Sequence, residues 1–156
     1  MDHPKDIGDR TQHAVMLALR EAGFAILVPF GENTRYDLVI DDGRSLARVQ
    51  CKTGRVLNGA VIWSTCSSYA HHPNPKPRKL DYHGEIEFFG VHCRETGGVY
   101  LVPITDLPVK RQASLRLVPA RNFQKKYIRD ASRYEIGRVS VTGELRASSG
   151  APAPSA

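Results

Sequence analysis

A chain of 156 residues with 41% hydrophobic and 24% charged residues has the size and balance of one globular domain, which excludes a disordered polyelectrolyte and leaves enough apolar chain for a core. Its net charge of +6 is compatible with a polyanionic partner without requiring one, and no run approaches the roughly 18 apolar residues of a membrane span. A soluble, cytoplasmic protein is expected. Cys51, Cys66 and Cys93 should be reduced, because three cysteines lacking CxxC spacing offer neither a disulfide framework nor a zinc ribbon.

In chain order, Asp6 to Ala22 reads as a helix, with Asp6 as N-cap, Gly23 at the stop position, and Val15, Met16, Leu19 and Ala22 as its buried stripe; Gln12 lies on the same face. Phe24 to Pro29 is a short apolar run that suits a buried strand, and Gly31 to Thr34 a loop. Tyr36 to Asp41 and Ser45 to Thr53 are strands joined by Asp42-Gly43, a dipeptide suited to a type I′ hairpin turn. Ala60 to Thr65 is a further strand, and a Pro- and His-rich loop covers His71 to Lys79. Glu87 to Cys93 and Val99 to Ile104 form a second hairpin around Glu95-Thr96-Gly97-Gly98.

Beyond Leu107 the pattern weakens, with a strand expected at Leu115 to Val118 and a basic, helical stretch from Asn122 to Arg133. Residues 147–156 contain only Ala, Ser, Pro and Gly and read as a disordered tail after a single domain over 1–146. Positive charge accumulates along the chain: residues 1–50 carry six Lys/Arg against eight Asp/Glu, and residues 101–156 carry ten against four.

If Asp42-Gly43 is a two-residue turn, Asp41 pairs with Arg44 and Asp37 sits opposite Arg48. Strand alternation then puts Asp37, Val39, Asp41, Arg44, Leu46, Arg48, Gln50 and Lys52 on one face, and Tyr36, Leu38, Ile40, Ala47, Val49 and Cys51 on the other. The second is a core face. The first has an ordinary explanation as a solvated face with cross-strand Asp–Arg pairs. It also has a chemical one: an acidic and an amide oxygen bind a hard divalent cation, while a nearby ammonium orients water and neutralises phosphate charge.

The run Pro29-Phe30-Gly31-Glu32-Asn33-Thr34-Arg35-Tyr36-Asp37-Leu38-Val39-Ile40, followed by Arg48-Val49-Gln50-Cys51-Lys52-Thr53-Gly54, resembles the PD-(D/E)XK nucleases. The likeness is to the branch related to group I intron-associated homing endonucleases, in which Gln50-Cys51-Lys52 looks like a QxK version of the motif. The likeness spans roughly residues 7–118. It implies an α/β fold with a central mixed β-sheet flanked by helices, a restriction-endonuclease-like core. Asp37, Gln50 and the Cys51 carbonyl would be metal ligands, Lys52 would position water or stabilise charge, and magnesium, or manganese in its place, would be the ion. The helix glutamate of such nucleases is matched here by Gln12, which leaves Asp37 as the site's certain carboxylate, with Asp9 or Glu87 able to compensate.

The resulting expectation is a metal-dependent endonuclease acting on double-stranded DNA as a homo-oligomer, dimer or tetramer, because two strand cuts need two sites. Alternatives are a catalytically impaired DNA-binding module of the same fold and a junction-resolving nuclease. Arg35, Arg55, Lys76, Arg78 and Lys79 are candidate phosphate contacts, as are Lys125, Lys126 and Arg129. A zinc site from Cys66, His71, His72 and Cys93 matches no common spacing.

Overall fold

The computed structural model describes residues 1–31, 33–68, 79–108, 111–119, 122, 126 and 128–136. Helix α1 spans Pro4–Glu21, starting two residues before the expected Asp6. Pro4 has its φ preset for a first helical turn and no amide to satisfy there, while His3 Nδ1 accepts the Lys5 amide at 3.2 Å. Gly23, at φ 96, reverses the chain as expected, and Phe24 folds back with its amide on Leu19 O at 3.0 Å. Thr11, Val15 and Leu19, four residues apart, form the buried stripe.

The strands are β1 (Ala25–Leu27), β2 (Leu38–Asp41), β3 (Leu46–Leu57), β4 (Ala60–Ser64), β5 (Cys66–Ser68), β6 (Lys79–Asp81), β7 (Phe88–Cys93), β8 (Gly98–Pro103) and β9 (Gln112–Arg116). Seven of them form one sheet in the order β1-β2-β3-β4-β9, with β7 and β8 branching from β3; β5 and β6 form a separate two-stranded ribbon. β3 runs parallel to β7 and the other pairings are antiparallel. The sheet is therefore mixed, in the restriction-endonuclease-like α/β fold expected. Among the described residues α1 is the one long flanking helix, and no helix is long and apolar enough to cross a membrane.

The first hairpin closes one step further on than the sequence suggests. Asp41 pairs with Leu46 and Leu38 with Val49, so Gly43 and Arg44 occupy the turn centre. Only Gly43 has positive φ (86°), as a type II′ turn requires, because Asp42 uses its carboxylate to accept the amides of Arg44 and Ser45. This moves the register by two residues, which preserves the face assignments of the regularly paired residues. β3 also continues four residues past Thr53. Gly54 allows this by leaving room for Val61 and Val91, whose methyls would lie 2.7 and 2.9 Å from an added Cβ. Asn58 and Gly59 (φ 50 and 74) then make the type I′ turn into β4.

Two apolar clusters lie on opposite faces of the sheet. Val15, Leu19 and Phe24 pack on Leu38, Ile40, Ala47, Val49, Cys51 and Phe88. On the other face Val61, Trp63, Tyr82, Phe89, Val91 and Val102 cluster together. Tyr36, placed by simple alternation with Leu38, packs against this second cluster, because regular pairing begins only at Leu38. β9 lies three residues earlier than the strand expected at Leu115, since it pairs with β4 through Ser64 and Gln112. Where a helix was expected to end at Arg133, Ala131–Arg133 is a single 3-10 turn, preceded by a bridge between Arg116 and Asp130. Residues 137–156, including the tail expected from 147, lie outside the described residues.

Candidate active site

β3 pairs with β7 from Val49 to Gly54, whereas its pairing with β2 stops at Val49 and that with β4 begins at Arg55. Gln50 to Gly54 therefore have one strand neighbour among the described residues. Asp37, immediately before β2, fills part of the gap: its amide donates to Val49 O at 2.9 Å and its Oδ2 accepts the Cys51 amide at 2.8 Å. A carboxylate thus takes the place of a strand carbonyl, which fixes it beside the backbone of the Gln50-Cys51-Lys52 run. Gln50 Nε2 donates to the Cys51 carbonyl oxygen at 3.4 Å. Lys52 Nζ donates to Cys66 O at 3.2 Å and stands 4.9 Å from the centre of the Tyr82 ring.

Burial strains both charges. It pushes the Asp37 carboxyl above its usual range, with the Cys51 amide and the Lys52 charge opposing. It pushes the Lys52 ammonium below its usual range, against the pull of Asp37 and with the Arg35 charge adding to the effect. The Cys51 thiol is driven up by burial and by Asp37, so it is inert as a thiolate and offers a cation only its main-chain oxygen. The groups gathered here are the Asp37 carboxylate, the Cys51 carbonyl and the Gln50 amide, whose nitrogen faces Cys51 O and whose oxygen is the remaining donor it can offer a cation. That set fits a hard dication of the magnesium type, which keeps several waters and is held by one or two carboxylates plus substrate phosphates.

A profile of PD-(D/E)XK endonucleases matches residues 2–137. The chain belongs to the PD-(D/E)XK endonuclease family. A solved structure of a bacterial homing endonuclease, I-Ssp6803I, is similar at 22% identity over 86% of this chain and 89% of that one, with a TM-score of 0.67. At that identity the likeness establishes the fold. No curated protein matches the chain.

For a PD-(D/E)XK endonuclease the carboxylates are few. Gln12 is half-buried on α1, next to Thr11, whose hydroxyl shares a 2.6 Å hydrogen bond with Thr53. Among the described residues Gln12 makes no hydrogen bond to Asp37, Gln50 or Lys52. Asp9 is exposed. Glu87, which pairs beside β3, is committed elsewhere: it accepts Arg48 Nη2 at 2.7 Å and the Arg48 amide. Burial works against its charge, but those hydrogen bonds hold its carboxyl below the usual range. The structure therefore brings together Asp37, Gln50, Cys51 and Lys52. Among the described residues no group of three or more His, Cys, Asp or Glu side chains is gathered as a metal site.

Of the PD-(D/E)XK endonuclease's expected phosphate contacts, Arg55 is exposed on β3. Arg35 is bound by protein groups: its guanidinium reaches Glu85, the Ser67 hydroxyl and, at 2.9 Å, Asp81 O, and lies 4.1 Å from the Tyr82 ring centre. Lys126 is exposed and Arg129 half-buried. Lys76, Arg78 and Lys125, together with the side chain of Lys79 and with His71 and His72, lie outside the described residues. Tyr82 and the Cys66 carbonyl, both touching Lys52, are the site's unforeseen members. Nothing in their spacing links them to the motif, since it is the chain's return through β5 and β6 that brings them there.

Proposed function

We propose that this chain is a metal-dependent endodeoxyribonuclease that hydrolyses phosphodiester bonds in double-stranded DNA, acting as a homo-oligomer that presents one site to each strand. The observation that carries this reading is the meeting of the Asp37 carboxylate, the Gln50 amide, the Cys51 carbonyl and the Lys52 ammonium along the stretch of β3 that has a strand neighbour on one side only. Asp37, Gln50 and Cys51 O would hold Mg2+, or Mn2+ in its place. When bound, the cation supplies Lewis-acid polarisation of a phosphate oxygen and acidifies a water.

The remaining work falls to the chain's own groups. Lys52, held close to Asp37, donates hydrogen bonds to a water or to a phosphate oxygen and offsets the negative charge that builds as the phosphorus is attacked. Its depressed pKa places it nearer to giving up a proton at working pH than a solvated lysine. Asp37, fixed by the Cys51 amide, keeps the ligand oxygens from drifting. The test is plasmid cleavage during titration of Mg2+ or Mn2+ into metal-free protein. Linear or nicked product that appears with metal and disappears in EDTA supports the reading; product independent of metal contradicts it.

A second reading is favoured by the scarcity of carboxylates, with Gln12 on the helix and Glu87 bound to Arg48. On this reading the chain binds DNA through the nuclease fold without cutting it. It predicts metal-independent DNA affinity, no product at any metal concentration, and cleavage gained in Gln12→Glu.

A further inference from the structure

We propose that Arg35 and Tyr82 are positioning residues that clamp Lys52 in place beside Asp37, Arg35 acting through the lysine rather than on DNA. This rests on the nuclease reading of Lys52. A lysine side chain has four rotatable carbon bonds to order, and β3 alone does nothing to hold the far end of this one. Its ammonium is held instead by two groups from outside the large sheet: Cys66 O at 3.2 Å and the Tyr82 ring at 4.9 Å. Cys66 opens β5, and among the described residues the β5–β6 ribbon shares no strand pairing with the large sheet. Something other than strand pairing has to fix the ribbon against the site.

Arg35 meets that need. Its Nη1 donates to Ser67 on β5 and its Nη2 to the Asp81 carbonyl on β6 at 2.9 Å; its Nε donates to Glu85, and its Cζ lies over the Tyr82 ring, 4.1 Å from the centre. A rigid fork with five donors serves such divergent partners at once, which an ammonium does not. Arg35 also stands two residues before Asp37 on the same short segment, so one guanidinium ties the lysine's holder to the carboxylate's own strand entry. Tyr82 is anchored in turn. It meets Phe89 edge to face, with centroids 5.7 Å apart, and Phe89 lies on β7 opposite Gln50. The lysine, the amide and the carboxylate are thereby referenced to one framework. A DNA phosphate reaching Arg35 would have to displace Glu85.

The test uses the full chain and three readouts, with Arg35→Met, Arg35→Lys, Tyr82→Leu, Tyr82→Phe and Lys52→Ala. The first is the order parameter of the Lys52 Cε group by NMR on lysine-labelled protein. The clamp predicts a rigid lysine in wild type and a clearly lower Lys52 Cε order parameter in Arg35→Met, Arg35→Lys and Tyr82→Leu. Tyr82→Phe keeps the ring and should keep the wild-type value, which separates clamping from a general loss of packing.

The second readout is single-turnover cleavage of pre-bound duplex, where loosening should cost about 10²-fold in rate. In a Lys52→Ala background the same substitutions should cost nothing further, because the residue they act through is gone. The third is duplex affinity in EDTA against salt, where Arg35→Met should leave the slope unchanged. A phosphate-binding arginine would instead lower that slope by about 0.9 and leave the rate on bound DNA intact. That result, or an unaltered Lys52 order parameter in both Arg35→Met and Tyr82→Leu, overturns the proposal. A wild type that cuts nothing with metal overturns the nuclease reading, and the order parameters still decide the clamp.

Discussion

Replacing Asp37 by Asn removes a charge while keeping the oxygen that the Cys51 amide needs, now supplied at 2.8 Å by Oδ2. Burial holds the Asp37 carboxyl above its usual range despite the Cys51 amide and Lys52, so the ionised carboxylate at neutral pH is a net cost to the folded state. Asp37→Asn should therefore be more stable than wild type at neutral pH in EDTA. Because the folded-state pKa lies above the unfolded one, wild type recovers its deficit as pH falls through the folded value, and the two converge below about 3.9. Asp37→Ala loses the same charge but leaves the Cys51 amide unpaired, which costs about 1–3 kcal/mol for a buried donor. Each kcal/mol moves Tm by about 2–4 °C in a chain of this size, so Ala should melt roughly 2–12 °C below Asn. Thermal unfolding followed by circular dichroism across this pH range reads both effects. An Asn variant less stable than wild type at neutral pH, or an Asn advantage undiminished in acid, would refute the reasoning.

Lys52→Met should likewise stabilise the metal-free protein at neutral pH, and the gap should begin to close as pH rises through the depressed Lys52 pKa and be gone above about 10.4, where the unfolded chain has also lost its proton; chemical denaturation at neutral and alkaline pH measures it. Thr11→Val and Thr53→Val each break the 2.6 Å hydroxyl pair between α1 and β3, so a double-mutant cycle by urea denaturation should return a coupling of about 0.5–1.5 kcal/mol. Gly90→Ala places a Cβ 2.7 Å from Val15 Cγ1 and 3.2 Å from Val49 Cγ1, which should cost about 1–3 kcal/mol by overpacking α1 against the sheet; Val15→Ala in the same chain should recover part of it.

How far the site was legible in the sequence depended on which regularity each residue obeys. Asp37 lies beside the Gln50-Cys51-Lys52 run although the turn was misplaced, because a two-residue shift leaves strand faces unchanged. A one-residue error would have scattered them. The turn was misassigned because Asp42-Gly43 looks like the centre of a type I′ turn, while Asp42 in fact caps the turn with its side chain. The true I′ pair, Asn58-Gly59, lay past Gly54, whose presence inside β3 reflects close packing by Val61 and Val91 rather than a strand end.

What strand periodicity does not encode was missed. Glu87 was a reasonable candidate for a missing carboxylate, and its parallel neighbour Arg48 accounts for it instead. Arg35 is drawn into the protein by Glu85, Ser67 and Asp81, partners 32 to 50 residues away in sequence. Such long-range polar pairings depend on how the ribbon docks, and no local pattern announces them.

The most direct test of the account is the single-turnover cleavage rate of duplex DNA with saturating Mg2+ for wild type, Asp37→Asn and Lys52→Met, each first shown to be folded by its melting transition. These substitutions are expected to leave the fold at least as stable as wild type, so lost activity would report on chemistry rather than unfolding. The account predicts a metal-dependent wild-type rate that falls by at least about 10²-fold in each variant. Wild-type rates in both variants would contradict it.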